Sequence, residues 1–529
     1  MTRAQRWTLL AAVLASGIVF LDSTIVNLAL KRIGEEVPST TSLGILEAQA
    51  YIGSGYLAVL AALLIIAGAL ADRYGRRRLF IIGLVAFGAI SILCGLAPTM
   101  EILIAARLLQ GAAGAVLVPG SLAIITAAFE GSLRSRAFGL WAGATSALTL
   151  LGPIVGGLLV DNLSWRLAFL INVPLVAIAL WAAIRHVDES RDADATGHFD
   201  VLGSIVGALA IGGLAFGAIH GQETKWSDPI AWVALVVGAV SLVAFPILMA
   251  KRDHPLVPLS LFRNREFAAI NLATFLIYGA LYVSFSFTAL LYQGVLGYTA
   301  TGAAIIGIPS GLLIAGLSAR VGGLTPRFGS RIFLIVGPLV VAAGQLWLAR
   351  IPADSTPWQA ELSKAATLIP PLSALIDVLP AMIAFGLGMG MVVAPLTSTL
   401  MSSIPGRNSG LGSAINNALS RVGQPLIFAL IFVAITASFY ASLAGQVPGL
   451  DSNDPAVRAA ISPLNPPKPG TPDEQVRAAK VASVDAFHVA ALVSAALLIG
   501  GAATSAVGLG AKSGRSSSDD QGDAASVAA

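Results

Sequence analysis

Charge is what this sequence has least of. Across 529 residues only 11% are Asp, Glu, Lys or Arg, whereas 56% are hydrophobic and the mean hydropathy is +0.82. So little polar surface cannot coat a soluble globule of this length, and the chain reads as one solvated by lipid. Cysteine is nearly absent: Cys94 stands alone inside an apolar run, which excludes an intrachain disulfide. The five histidines are too scattered in sequence for a metal site. No Gly-x-x-x-x-Gly-Lys-Ser/Thr string occurs, since Gly508-Leu-Gly-Ala-Lys512-Ser513 lacks both required glycines, and this excludes a pump driven by ATP. Gly386-Leu-Gly388-Met-Gly390 imitates a dinucleotide turn but lies within an apolar span, without βαβ context. No His/Asp/Glu constellation clusters near an interface as a membrane enzyme would require, so neither an enzymatic activity nor a cofactor is expected. The net charge of +4 is spread over short loops and not gathered on one face, so nucleic acid is not expected as a partner.

What is abundant is glycine and proline, 55 and 27 residues, which lipid-embedded helices tolerate and use for close packing. At about 20 residues per span, the apolar runs give roughly fourteen helices: 8–30, 50–71, 79–97, 102–127, 137–159, 167–185, 201–219, 230–250, 267–291, 303–323, 332–349, 375–400, 410–439 and 485–509. The expected fold is an all-α integral membrane protein with two pseudo-symmetric six-helix halves, 1–185 and 267–510, and an inserted two-helix segment with its linkers, 186–266. The first apolar run, interrupted by Asp22 and Asn27, is expected to stay as an uncleaved span. Arg73 to Arg78, Arg134, Arg136, Arg185, Arg191, Lys251 to Arg265, Arg327, Arg331, Arg407 and Lys512 thread to one side, which the distribution of basic residues assigns to the cytoplasm together with both termini. A long outer loop, 440–484, with a short helix from Pro472, reads as a solvated connector, and the Ser-rich acidic tail, 511–529, as disordered. Gly322, Pro326-Arg327, Gly329 and Arg331 repeat the spacing of Gly68, Asp72-Arg73, Gly75 and Arg77, which is what two related halves would show.

Four groups of residues carry candidate chemistry. Asp22 lies in the outer half of the first span, where a carboxylate must be protonated, paired or facing water; that is how a proton site behaves, the alternative being a carboxylate that fixes packing. Arg107, on an antiparallel span at similar depth, can meet it; unable to deprotonate, it would tune Asp22 or hold an anionic group, unless it merely snorkels or bonds backbone. Gly152, Pro153, Gly156 and Gly157 make a smooth face against which a partner backbone can slide or seal, or simply pack. The charged turn Gly68, Asp72, Arg73, Gly75, Arg76, Arg77 reads as a conformational latch, against a solvated loop that only sets topology. For substrate contact the candidates are Asn27, Gln110, Asn271, Phe275, Tyr278, Tyr282, Asn416 and Asn417, with Phe285, Gln293, Ser420 and Gln424 nearby; Tyr278, Tyr282 and Phe285 form an aromatic stripe suited to a lipophilic or cationic compound or to packing. Asp377 and Asp485 are interfacial.

Taken in order, the strings Gly68-Ala-Leu-Ala-Asp72-Arg73-Tyr-Gly75-Arg76-Arg77-Arg78, Leu21-Asp22-Ser23-Thr24-Ile25-Val26-Asn27, Arg107-Leu-Leu-Gln110-Gly111 with Gly114, and Gly139…Gly152-Pro153-Ile-Val-Gly156-Gly157…Asp161-Asn162 through Trp165-Arg166 to Asn172-Val-Pro174 resemble the major facilitator superfamily, in its fourteen-span drug:proton antiporter branch. The resemblance covers nearly the whole chain, with Leu148 where another glycine is usual and Lys31 where a proline is usual. It implies a secondary exporter in the cell membrane, driven by the proton gradient without a cofactor. The span-five glycines would then be a gate that suppresses proton leak, and the cargo a small lipophilic, drug-like and even cationic compound. The expected partners are substrate, protons and lipid, and the expected state a monomer. Export of one endogenous metabolite, peptide or lipid, or a non-transporting receptor on the same fold, are the alternatives.

Overall fold

The computed structural model describes residues 1–41, 43–190, 200–252, 255, 257–404 and 409–510. Fourteen long helices run through them: α1 Arg3–Glu36, α2 Tyr56–Tyr74, α3 Arg76–Leu96, α4 Met100–Ala128, α5 Gly131–Asn162, α6 Asn172–His186, α7 Val201–Glu223, α8 Pro229–Lys251, α9 Arg265–Leu290, α10 Ala300–Phe328, α11 Ser330–Leu348, α12 Leu379–Ser402, α13 Ser409–Gln446 and α14 Asp473–Gly508. Among the described residues thirteen segments are long and apolar enough to cross a bilayer, and within α5 the stretch Leu151–Asn162 is a shorter apolar run. Polar residues set the helix starts. Thr2 and Gln5 form a capping box on α1, and Asp200, Asp228, Asn264 and Thr299 cap α7, α8, α9 and α10. Because helix formation does not stop where hydrophobicity does, α1 and α14 run well beyond the expected spans. The tail 511–529, Arg191 and Arg407 lie outside the described residues.

Helices α1 to α6 form one bundle, with α1 on α4, α5 and α6 and with α2 and α3 on α4; α9 to α14 form the second, with α9 on α13 and α14 and with α12 on α10 and α11. The likeness of the halves is local as well as global. Gly75, at φ +112°, joins α2 to α3, and Gly329, at φ +79°, joins α10 to α11, both in conformations that only glycine adopts cheaply. Two residues beyond each glycine an arginine donates to a carbonyl at the end of its half's last helix: Arg77 to Ile184 O at 2.6 Å and Arg331 to Ala506 O at 2.7 Å.

Helix α7 packs on α2 and α13, one from each half, and α8 packs chiefly on α7. Gly213 and Gly217 make that pairing close: a Cβ on Gly213 would stand 2.8 Å from Ala234 O, and one on Gly217 2.9 Å from Ala231 O. Both ends of the described chain share one face of the molecule, termed the terminal face below; the other is the far face.

The connector between α13 and α14 departs from expectation. Both helices extend into it, so it shrinks to residues 447–472, with one short helix, Pro455–Ala460. It is no solvated connector either: Ile461, Ser462, Leu464 and Asn465 are buried, because Ser462 accepts from Leu46 N at 3.2 Å and Asn465 exchanges amide hydrogen bonds with Gln49 at 2.8 and 2.9 Å. This strap ties the second half to the first across the far face.

Candidate functional site

A polar network occupies the core of the first half. Asp22 is 0% exposed, Arg107 1%. Arg107 Nη1 donates to Asp22 Oδ2 at 2.6 Å and to Gln110 Oε1 at 2.8 Å, while its Nε donates to Ile52 O at 3.1 Å. Ile52 lies in the one-turn π-helix Tyr51–Gly55 that precedes α2, and such a turn leaves carbonyls free of the regular ladder. The other carboxylate oxygen, Oδ1, accepts from Asn172 Nδ2 at 2.9 Å and Gln110 Nε2 at 3.3 Å. Ser91 Oγ closes the circuit, accepting from both amides and donating to Phe169 O at 2.9 Å. The guanidinium carbon of Arg107 stands 4.0 Å from the centre of the Tyr56 ring, a cation–π contact. Helices α1, α3, α4 and α6 each contribute one or two of these groups. Gly111 permits the approach of α2, since a Cβ there would meet Tyr56 O at 2.4 Å. Asp22 and Arg107 meet, as their depths in antiparallel spans allow; Gln110, a substrate candidate by sequence, is spent inside this network, and Asn172 and Ser91 join it without any local sequence signal. Short polar residues are common in spans, and only packing shows which of them converge.

The glycines of α5 bring that helix flush onto the helix bearing Asp22. A Cβ on Gly152 would lie 1.9 Å from Thr24 Oγ1 and one on Gly156 3.1 Å from Ile25 Cα, both on α1. Gly157 faces the second half instead, its Cβ position 2.8 Å from Ala300 O. Pro153 is accommodated inside the helix. Leu148, the departure from the usual glycine, is matched by a glycine across the interface: the Cβ position on Gly17 is 2.2 Å from Leu148 Cδ1. The small residue has changed helices, and the close approach of α1 and α5 is kept. Lys31, half-buried, pairs with exposed Glu35 at 3.8 Å.

In the charged turn, Glu189 supplies a carboxylate that no motif in the sequence marks. It accepts from Arg77 N and Arg78 N, each at 3.1 Å, at the N-terminus of α3, where backbone donors and the helix dipole favour an anion. Arg76 N donates to Ser190 O at 3.0 Å. Gly75 holds its positive φ beneath this carboxylate, Arg73 is exposed with its guanidinium 5.7 Å from the Tyr74 ring centre, and Gly68 faces Pro119 of α4. The side chain of Asp72 lies outside the described residues.

Hydrogen bonds between the halves, among the described residues, gather toward the far face. Besides the strap, Asp161 at the end of α5 accepts from Ala300 N at 3.1 Å and from Thr301 N, and so caps the N-terminus of α10 from the other half. Thr301 Oγ1 donates to Gly157 O at 3.3 Å. Ser286 Oγ donates to Asn27 Oδ1 at 3.4 Å, beside a small cleft lined by Gln49, Gly53, Ser54 and Phe428. Among the described residues the hydrogen bonds across the seam thus lie at one face.

Other expected substrate contacts are partly committed elsewhere. Asn416 Nδ2 donates to Asn271 Oδ1 at 3.0 Å and to Thr274 Oγ1 at 2.8 Å, a buried clamp between α13 and α9. Those helices touch where a Cβ on Gly423 would stand 2.7 Å from Phe275 O. Tyr278 and Tyr282 are half-buried with ring centres 6.2 Å apart, and Phe285, 46% exposed, meets Phe385 edge-on at 5.0 Å. Asn417 is half-buried on the same helix as Asn416, its carbonyl accepting from Ser420 Oγ at 2.8 Å. Arg421, unremarked in the sequence, is 8% exposed on α13 with its guanidinium carbon 4.6 Å from the Phe20 ring centre on α1.

Residues 12–428 match the Major Facilitator Superfamily. The multidrug resistance protein Stp of Mycobacterium tuberculosis is 30% identical over 444 residues, 84% of this chain and 78% of that protein. The tetracenomycin C resistance and export protein of Streptomyces glaucescens is 30% identical over 438 residues, 82% of this chain and 77% of its own. In fold, the chain resembles the crystal structure of a bacterial homologue of the human lysosomal transporter Spinster, with a TM-score of 0.61 at 17% identity, covering 98% of this chain and 100% of that one.

Proposed function

This chain belongs to the major facilitator superfamily, and on that premise we propose that it is a secondary active exporter that exchanges inward-moving protons for an outward-moving small lipophilic compound, in the cell membrane with both termini in the cytoplasm. It is a multi-pass membrane transporter by family. The coupling, the cargo and the orientation are our reading, as are the monomeric state and the absence of a cofactor.

The observation that carries the reading is Asp22. A carboxylate excluded from solvent in the midst of apolar helices is costly unless paired, and its protonation state decides what pairing it needs. Ionised, it satisfies Arg107, Gln110 and Asn172 together. Protonated, it releases Arg107 to acceptors that are already in place, Ile52 O, Gln110 Oε1 and the Tyr56 ring, so the arginine is not left bare. Asp22 therefore has two workable states that differ in the grip between α1 and α4. Helix α1 lies flush on α5, whose end caps α10 at the far face, so a shift of α1 bears on the seam between the halves. With the far face fastened, the cycle in this reading stands in the state that takes substrate from the cytoplasm or inner leaflet. The names of the relatives, multidrug resistance and tetracenomycin C export, support a lipophilic cargo.

The test is efflux from cells that express the protein and are loaded with ethidium or tetracenomycin C. Efflux is expected to stop with a protonophore and in Asp22→Asn. Efflux that continues in the variant at the wild-type rate would remove Asp22 from the coupling step.

A further inference from the structure

Among the described residues four of the type Asp, Glu, Lys or Arg are buried as whole residues, Asp22, Glu47, Arg107 and Arg421, and the side chain of Asp200, 4% exposed at the start of α7, is held by Gly203 N and Arg252. Asp22 and Arg107 neutralise one another. Glu47, near the far face, has partners of its own. Of these four, Arg421 has neither a carboxylate nor a hydrogen-bond acceptor among the described residues, and its guanidinium lies over the Phe20 ring. An unpaired guanidinium within a span is expensive, and such a residue marks a binding site by default. It also sits at the seam between the two halves. Helix α13 lies on α2 and α7, with Ala418 packed among residues of the first half that include Tyr56 and Val422 packed against Ala58, Ala61, Ile211 and Ala215. Those two residues occupy one side of α13, and Arg421 reaches α1 from the seam between the halves. Asn417, Arg421 and Gln424, at helical spacing of four and then three residues, share a face.

We propose that Arg421, with the Asn417 to Gln424 face of α13 and Phe20 of α1, forms an anion subsite of the transport cavity that takes the carboxylate or phenolate of a lipophilic organic acid. This rests on the exporter reading above and narrows its cargo. Arg421 presents a planar, cationic fork of donors that matches a carboxylate with two parallel hydrogen bonds. The bound acid would supply the counter-charge that the fold omits, while the apolar walls of the seam accept its hydrocarbon part. The buried carboxylate at the core of the first half, Asp22, is already matched by Arg107 and offers no such service to a cation. Exchange of one such anion for one incoming proton moves two positive charges inward, so export of an acid responds to the membrane potential.

The experiment is equilibrium binding to the full chain in nanodiscs of neutral phosphatidylcholine, at pH 7, comparing 2-naphthoate with its neutral twin 2-naphthamide. The wild type is expected to bind the acid at least about tenfold more tightly than the amide. Arg421→Gln should erase that preference without changing amide binding, and Arg421→Lys, which keeps the charge but not the fork, should restore part of it. Melting curves of each variant separate loss of the subsite from loss of the fold. An acid bound no better than the amide by the wild type, or a preference that survives Arg421→Gln in a folded protein, overturns the proposal. Binding needs neither a proton gradient nor turnover, so failure of proton coupling at Asp22 and failure of this subsite are read separately.

Discussion

Asp161→Asn is expected to loosen the far face while leaving the core of either half untouched. The carboxylate accepts from Ala300 N and Thr301 N at the positive end of α10, and its own helix belongs to the other half, so any opening of the far face must break both bonds. Asparagine keeps one acceptor and loses the charge. The lost interaction with the helix terminus is worth about 0.3–2 kcal/mol and the lost hydrogen bond about 0.5–1.5 kcal/mol. A total of roughly 1–3 kcal/mol corresponds to a shift of about 5–150-fold toward the open far face. Spin labels at Leu163→Cys, 63% exposed just past α5, and at exposed Asp354→Cys beyond α11 would report the distance across that face. The native Cys94 is buried and is not labelled under the same conditions. Double electron–electron resonance should show a longer-distance population that grows in the variant. An unchanged distance distribution would refute the view that this cross-half cap helps to hold the far face shut.

Other consequences are as direct. Gly17→Ala drives a methyl into Leu148 and should cost about 1–3 kcal/mol of stability, recovered in large part by Gly17→Ala with Leu148→Ala; melting of the purified variants checks it, and simple additivity would mean that the two residues do not oppose one another. Gln49→Ala leaves the buried Asn465 Oδ1 without its donor, at about 1–3 kcal/mol, while Asn465 Nδ2 keeps Pro463 O, and should speed chemical labelling of a cysteine placed in the far-face seam, whereas Gln49→Ala with Asn465→Ala should cost less than the two single changes together. Asn416→Ala should lower melting temperature and leave substrate selectivity as it was, because its amide is committed to Asn271 and Thr274; a changed substrate profile in an efflux assay would put Asn416 in the binding site. Glu189→Gln should weaken the cap on α3 by about 0.3–1 kcal/mol, visible as faster hydrogen exchange at Arg77 and Arg78.

What could be read beforehand followed from cost. A carboxylate and a guanidinium inside apolar runs are expensive enough to stand out, so Asp22 and Arg107 were legible, and antiparallel spans at equal depth suggested that they meet. The same rule reaches Arg421, which lies in a span otherwise free of charge. Asn172 and Ser91 were not legible as partners because amides and hydroxyls pass cheaply in helices, and their convergence depends on the rotation of α3 and α6. Glu189 sat in a linker whose charges are ordinarily solvated; only the return of that linker to the start of α3 makes it a cap. The residues 461–465 read as polar connector because burial against Leu46 and Gln49 is a long-range event that local composition does not announce. Glycines were legible as close contacts but not for what they touch: Gly152 and Gly156 bring α5 onto α1, and only Gly157 of that set meets the second half.

The claim at the centre is that Asp22 carries the coupling proton. Protein reconstituted in liposomes with an internal pH dye, under an imposed proton gradient, should give substrate-dependent proton flux with tetracenomycin C, ethidium or 2-naphthoate, and the flux should vanish in Asp22→Asn. Flux that persists in the folded variant at the wild-type rate would contradict the account and place the proton elsewhere.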